Sequence, residues 1–159
     1  MANYVQAFEK VFALKREAAN IYSVNIEDLT CWQTMKDIGF SSSELYQLFK
    51  HHYCEEIWLQ LQGENIQQQS IANLLFKASV KGYVDELLVQ FQQCFSLPIS
   101  GVMCSYTLQQ INQTDQPRLT IWLRLYTLYF DIYANQTHLY SQLEYSPEQH
   151  FFSPQVWLH

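Results

Sequence analysis

Charge is scarce in this sequence, and so are the residues that break helices. Lys and Arg total 9, Asp and Glu 15, and charged residues make up 15% of the 159, against about 25% in an average domain. Nucleic acid is a poor fit, because phosphates need clustered Lys and Arg. The formal charge of -6 would also steer the chain poorly towards an anionic cell wall. Only 4 Gly and 4 Pro argue against a turn-rich all-β domain. The 4 cysteines, Cys31, Cys54, Cys94 and Cys104, form no CxxC pair and no zinc-like spacing; they are expected as reduced thiols, with no metal bound. No apolar run reaches the about 18 residues of a membrane-spanning helix. The start, Met1-Ala2-Asn3-Tyr4-Val5-Gln6, lacks the basic then apolar layout of a signal peptide. The default expectation is cytoplasmic, with export to the periplasm by a route without a signal peptide left open.

What is abundant is apolar and aromatic. At 48% hydrophobic and 16% aromatic, the chain has ample material for a core, which excludes disorder. A length of 159 residues fits a single domain over residues 1–159 that buries roughly 70% of its unfolded surface. With so little charge, Gln, Asn, Ser and Tyr must supply most of the polar surface.

The periodicity predicts consecutive helices. From Asn3 to about Ala19, Val5, Phe8, Val11, Phe12 and Leu14 fall close to one helical stripe. Residues 20–25 read as a strand fragment, and Asn25 as the cap of a brief helix that stops at Gly39. Ser41 and Glu44 match a capping box, followed by a helix carrying Leu45, Leu48, Phe49, His52 and Tyr53 towards Trp58. Gly63 breaks it. Helices over about 68–81 and 84–95 follow, punctuated by Gly82, then a turn at Leu97-Pro98-Ile99-Ser100-Gly101 and a short helix ending near Asn112. Asp115 caps a long helix with Pro117 in its first turn, where a missing N–H costs nothing. That helix is dense in aromatics: Trp122, Tyr126, Tyr129, Phe130 and Tyr133. The expected fold class is mainly α.

Several segments, in order, carry a resemblance. Phe8-Glu9-Lys10-Val11-Phe12-Ala13-Leu14-Lys15-Arg16-Glu17, His52-Tyr53-Cys54-Glu55-Glu56-Ile57-Trp58, Ser70 to Val80, and Leu97 to Asn112 with Gly101 together resemble the phage-type N-acetylmuramidases of glycoside hydrolase family 108. These are lysozyme-like enzymes with a Glu-Gly-Gly motif. The resemblance implies a lysozyme-like helical domain with a truncated or absent β-hairpin. Residues 97–135 are similar to the family's small peptidoglycan-binding-type segment, and residues 136–159 form a divergent tail. It also implies that Glu17 occupies the catalytic acid position. The departures fall at the chemistry. Glu-Gly-Gly is Glu17-Ala18-Ala19 here, and Tyr22-Ser23-Val24-Asn25 stands where the family ends its catalytic hairpin on a threonine. Only Asn20 and Ile21 remain where the family inserts a longer acidic loop.

Glycoside hydrolysis usually takes two carboxyl groups, one protonating the leaving oxygen and the other activating water or attacking the sugar. Glu17 would serve as the acid in an apolar pocket that raised its pKa; otherwise it is a surface Glu paired with Lys15 or Arg16. Asn25 cannot ionise, and Glu27 and Asp28 read as first-turn charges favoured by the helix dipole. A lone acid forgoes much of the general-base contribution of about 10²–10⁴-fold. His51, His52 and Cys54 do not make a metal site, because adjacent helical residues point in different directions. No Gly-rich phosphate loop or nucleophile elbow is present, and no cofactor is expected. Trp122, Tyr126, Tyr129 and Tyr133 remain as candidate binding residues. A Tyr stripe at helical spacing serves a core, a sugar or a protein partner, and Tyr is enriched in protein interfaces. The expectation is a muramidase-like protein that has lost hydrolysis and binds a protein or a glycan strand, the alternative being an active muramidase acting through Glu17.

Overall fold

The computed structural model describes the backbone over residues 1–13, 24–25 and 30–140, and side chains over residues 1–12 and 31–132. The chain is mainly helical, as its periodicity predicts. It groups into two compact units, Met1–Gly82 and Tyr83–His159.

The first unit opens with helix α1, Tyr4–Val11, where Asn3 Oδ1 accepts from the backbone N–H of Gln6. The helix ends at Val11, well short of the Ala19 that periodicity suggests and of the stop near Glu17 that the resemblance implies. Phe12 leaves helical dihedrals for φ -102° and ψ 121°. Strand β1, Phe12–Ala13, then pairs in parallel with β2, Val24–Asn25. The turn away is favoured by packing: the buried Phe12 ring lies 4.7 Å from Phe8 and 4.9 Å from Tyr53. Tertiary burial outweighs a weak local preference, since one non-Ala residue contributes only tenths of a kcal/mol to helix propensity. Asn25 lies in β2, and the next described helix, α2, spans Thr30–Asp37.

Helix α2 stops just before Gly39, as the sequence predicts. Gly39 takes φ +108°, a conformation costly for side chains with a Cβ. Its N–H donates to the Lys36 carbonyl while Phe40 N–H donates to Met35, satisfying two carbonyls at the helix end. Helix α3, Ser42–Tyr53, begins with the reciprocal capping box read in the sequence: Ser41 Oγ accepts from Glu44 N–H, and Glu44 Oε2 accepts from Ser41 N–H. The hydroxyl and N–H of Ser41 hold the Glu44 carboxyl below its ordinary range. This contribution is therefore present above the unfolded carboxyl pKa and is lost as pH falls through the folded one.

Beyond α3 the chain widens into a π-helical turn, Cys54–Trp58, which delivers the fully buried Trp58 into the core. A short 3₁₀ turn, Gly63–Asn65, leads to α4, Gln69–Val80. Tyr4, Phe8, Phe12, Tyr53, Trp58 and Phe76 form one aromatic cluster, with neighbouring ring centroids 4.7–6.5 Å apart, in the range where ring pairs attract beyond simple burial. The Tyr4 hydroxyl donates to the Lys50 carbonyl, and burial pushes its pKa upward. Gln69 ties down the N-terminal segment: its Oε1 accepts from Asn3 N–H at 2.6 Å and its Nε2 donates to Asn3 O at 3.0 Å.

The second unit contains α5, Val84–Cys94, α6, Ser105–Gln113, and α7, Gln116–Tyr140. Asp115 Oδ1 accepts from Arg118 N–H at 3.0 Å, the cap expected from the sequence. Gln116 Nε2 donates to the Ile111 and Thr114 carbonyls, closing the junction between α6 and α7.

Candidate functional site

The second unit is organised around one buried polar side chain. Gln92, on α5 and fully buried, donates from Nε2 to Ser100 Oγ at 3.2 Å, Val102 O at 3.0 Å and Thr107 Oγ1 at 3.0 Å. Its Oε1 accepts from Ser100 N–H at 2.8 Å and Gly101 N–H at 3.0 Å. A buried amide with both ends satisfied fixes the segment it touches, here the connection between α5 and α6. No sequence signal marks Gln92, because one Gln on an apolar helix face looks like any surface amide.

Downstream of that connection, Cys104 occupies the N-cap position of α6. Its Sγ lies 3.2 Å from Thr107 Oγ1. The Thr107 hydroxyl beside it holds the thiol below the ordinary cysteine range. Burial pushes Cys94 up, and burial with Glu64 and Glu55 pushes Cys54 up. The thiolate is the reacting species, so iodoacetamide is expected to modify Cys104 ahead of Cys94 and Cys54 near neutral pH. The Cys104 rate should rise at lower pH than theirs, as peptide mass spectrometry across a pH series would show. Equal rates at all three would contradict this ordering.

Helix α7 is apolar on two sides. One side buries Leu119, Trp122, Leu123 and Tyr126. There Trp122 meets Phe91 edge-on at 6.0 Å and tilts against Tyr126 at 4.6 Å. Burial pushes the Tyr126 hydroxyl up to about 12. Nearby, Tyr83 stacks on Phe130 at 4.8 Å with the rings 11° from parallel. The other side carries Ile121, Leu125, Leu128 and Ile132, each between 39% and 57% exposed. Leu125, Leu128, Tyr129 and Ile132 of α7, with Glu86 and Gln90 of α5, help line a cavity of about 410 Å³. This is an apolar trough with an acid and an amide on its α5 side.

The candidate residues from the sequence therefore divide. Glu17 and Tyr22 lie outside the described residues, and Asn25 is placed only as backbone in β2. Trp122 is buried, Tyr126 is buried at the cavity wall, and Tyr129 is exposed beside it. Tyr133 belongs to α7 by backbone, with its side chain outside the described residues. Sequence reasoning passes over Ile121, Leu125, Leu128 and Ile132, although their spacing of four, three and four residues is legible. Among the described residues no group of three His, Cys, Asp or Glu is placed to hold a metal, and no helix is long and apolar enough to cross a membrane. No protein-family model, curated protein or solved structure matches this chain.

Proposed function

We propose that this chain is a divergent muramidase-like domain that has lost hydrolysis and works by binding, as an accessory module of a bacterial envelope, phage-derived or secretion assembly. The observation that carries the binding reading is the apolar face of α7, with Leu125, Leu128, Tyr129 and Ile132 exposed along the cavity. Contiguous exposed apolar surface of this kind marks interaction sites, and the sparse charge around it suits a protein partner better than a polyanion. The ordered resemblance of the segments after His52 supports the muramidase-like ancestry. The short stretch between Ala19 and Tyr22 and the neutral Asn25 support the loss of hydrolysis.

The binding reading is tested by immobilising the full chain, offering purified peptidoglycan and, separately, envelope proteins, and comparing variants. Tyr129→Ala and Leu125→Ala are expected to weaken capture of the specific partner, by about 2 kcal/mol where the residue is an anchor, with the melting temperature unchanged. Tyr126→Ala should instead melt the second unit, because its ring packs on Trp122. Capture that survives every exposed-face variant would overturn the reading.

A further inference from the structure

We propose that the exposed face of α7 pairs with the same face of a second copy of this chain, the two helices running antiparallel. The inference rests on the binding reading above only in placing function on α7. Ile121, Leu125, Leu128 and Ile132 recur at intervals of four, three and four, the 3.5-residue repeat that a partner helix buries in a two-helix seam. These side chains are all exposed, while Leu119, Trp122, Leu123 and Tyr126 bury the opposite side of the helix. The four seam side chains of α7 are uncharged over about 16 Å at 1.5 Å per residue, with Glu86 of α5 beside them at the cavity wall.

The flanking charges choose the second copy and its direction. Arg124 and Asp131 both precede a seam residue by one position, so they share one flank of the helix. A two-fold axis between Leu125 and Leu128 sets Ile121 against Ile132 of the second copy, and Leu125 against its Leu128. Arg124 then lies within about two residues, or about 3 Å along the axis, of Asp131 of the second copy, and the pair occurs twice. In a parallel pair the same flank would bring Arg124 to Tyr129, with no complementary charge. Antiparallel helices match the same-flank positions with each other, which makes this arrangement self-complementary, as a closed two-fold dimer requires. The seam is short, so the dimer is expected to be weak and concentration-dependent.

Sedimentation equilibrium of the full chain from about 1 to 100 µM, the range in which weak dimers dissociate, tests this. The expected result is a mass rising towards twice that of the chain. Leu128→Glu should stay at the single-chain mass with an unchanged melting temperature. Arg124→Glu and Asp131→Arg should each weaken association at least tenfold, and the double variant should restore it. A wild-type chain that stays monomeric overturns the proposal, as does a dimer indifferent to Leu128→Glu. A double variant that fails to restore association overturns the antiparallel pairing. A monomer that Leu128→Glu destabilises would put the face under the chain's own residues and also overturns it. The dimer and a partner would share Leu125, Leu128 and Ile132, so partner capture is measured at a concentration where the chain is monomeric: capture that Leu125→Ala weakens there, with no dimer at any concentration, is failure of the dimer alone.

Discussion

Gln92→Leu is expected to destabilise the second unit by about 3 kcal/mol or more, because it strands several buried polar groups at once. The physical reason is the asymmetry between making and abandoning a buried hydrogen bond. A typical bond adds only about 1 kcal/mol net, whereas each buried group left without a partner costs roughly 1–3 kcal/mol. Leucine fills a similar volume but accepts nothing from Ser100 N–H or Gly101 N–H and donates nothing to Thr107 Oγ1, all held by Gln92 now. Some of these groups will reach water once the connection loosens, which brings the cost down towards the low end. Gln93→Leu, one residue along the same helix and exposed, should stay within about 0.5 kcal/mol. Denaturant unfolding of the two variants measures the contrast. Equal effects would mean that the Gln92 network does not organise the unit.

A comparable loss is expected from Gly63→Ala, for a steric reason. A Cβ at Gly63 would stand 2.4 Å from Cδ2 and Cε2 of Trp58. The indole is fully buried and faces Tyr4 at 5.7 Å and Phe76 at 6.0 Å, so it has little room to retreat. Overpacking of a tight core typically costs about 1–3 kcal/mol and occasionally more. The rings make the clash specific, which a double-mutant cycle can show. In a Trp58→Val background the ring atoms that meet the new Cβ are gone, so Gly63→Ala should cost clearly less than in the wild type. An additive cycle would place the cost elsewhere.

These two sites show how unevenly the sequence discloses its structure. Local chemistry is legible wherever it is self-contained. Ser41 with Glu44, Gly39 at the end of α2 and Asp115 before Pro117 each carry their own hydrogen-bonding logic within a few residues. The stop of α1 at Val11 is not legible, because its cause is remote. Phe12 meets Tyr53 and pairs with Val24, and no window of local periodicity contains those partners. Gly63 reads as a helix breaker, while its closest constraint is the Trp58 ring. The candidate site shows the same limit. Apolar residues on both sides of α7 blur the single stripe by which an amphipathic helix announces its core face. Trp122, Tyr126 and Tyr129 can therefore be named from their aromatic density, but not sorted into buried and exposed. The 3.5-residue recurrence of Ile121, Leu125, Leu128 and Ile132 is hidden beneath the more conspicuous rings.

The loss of hydrolysis is the claim on which the functional reading turns, and turnover of purified peptidoglycan sacculi tests it most directly. Reducing ends and soluble muropeptides would be measured over time with the wild-type chain and with Glu17→Gln. The expected result is no release above a protein-free control for either, because a lone acid without a partner to activate water lacks much of the usual general-base contribution, about 10²–10⁴-fold. Steady release by the wild type that disappears in Glu17→Gln would contradict it and make the chain a working muramidase with Glu17 as its acid.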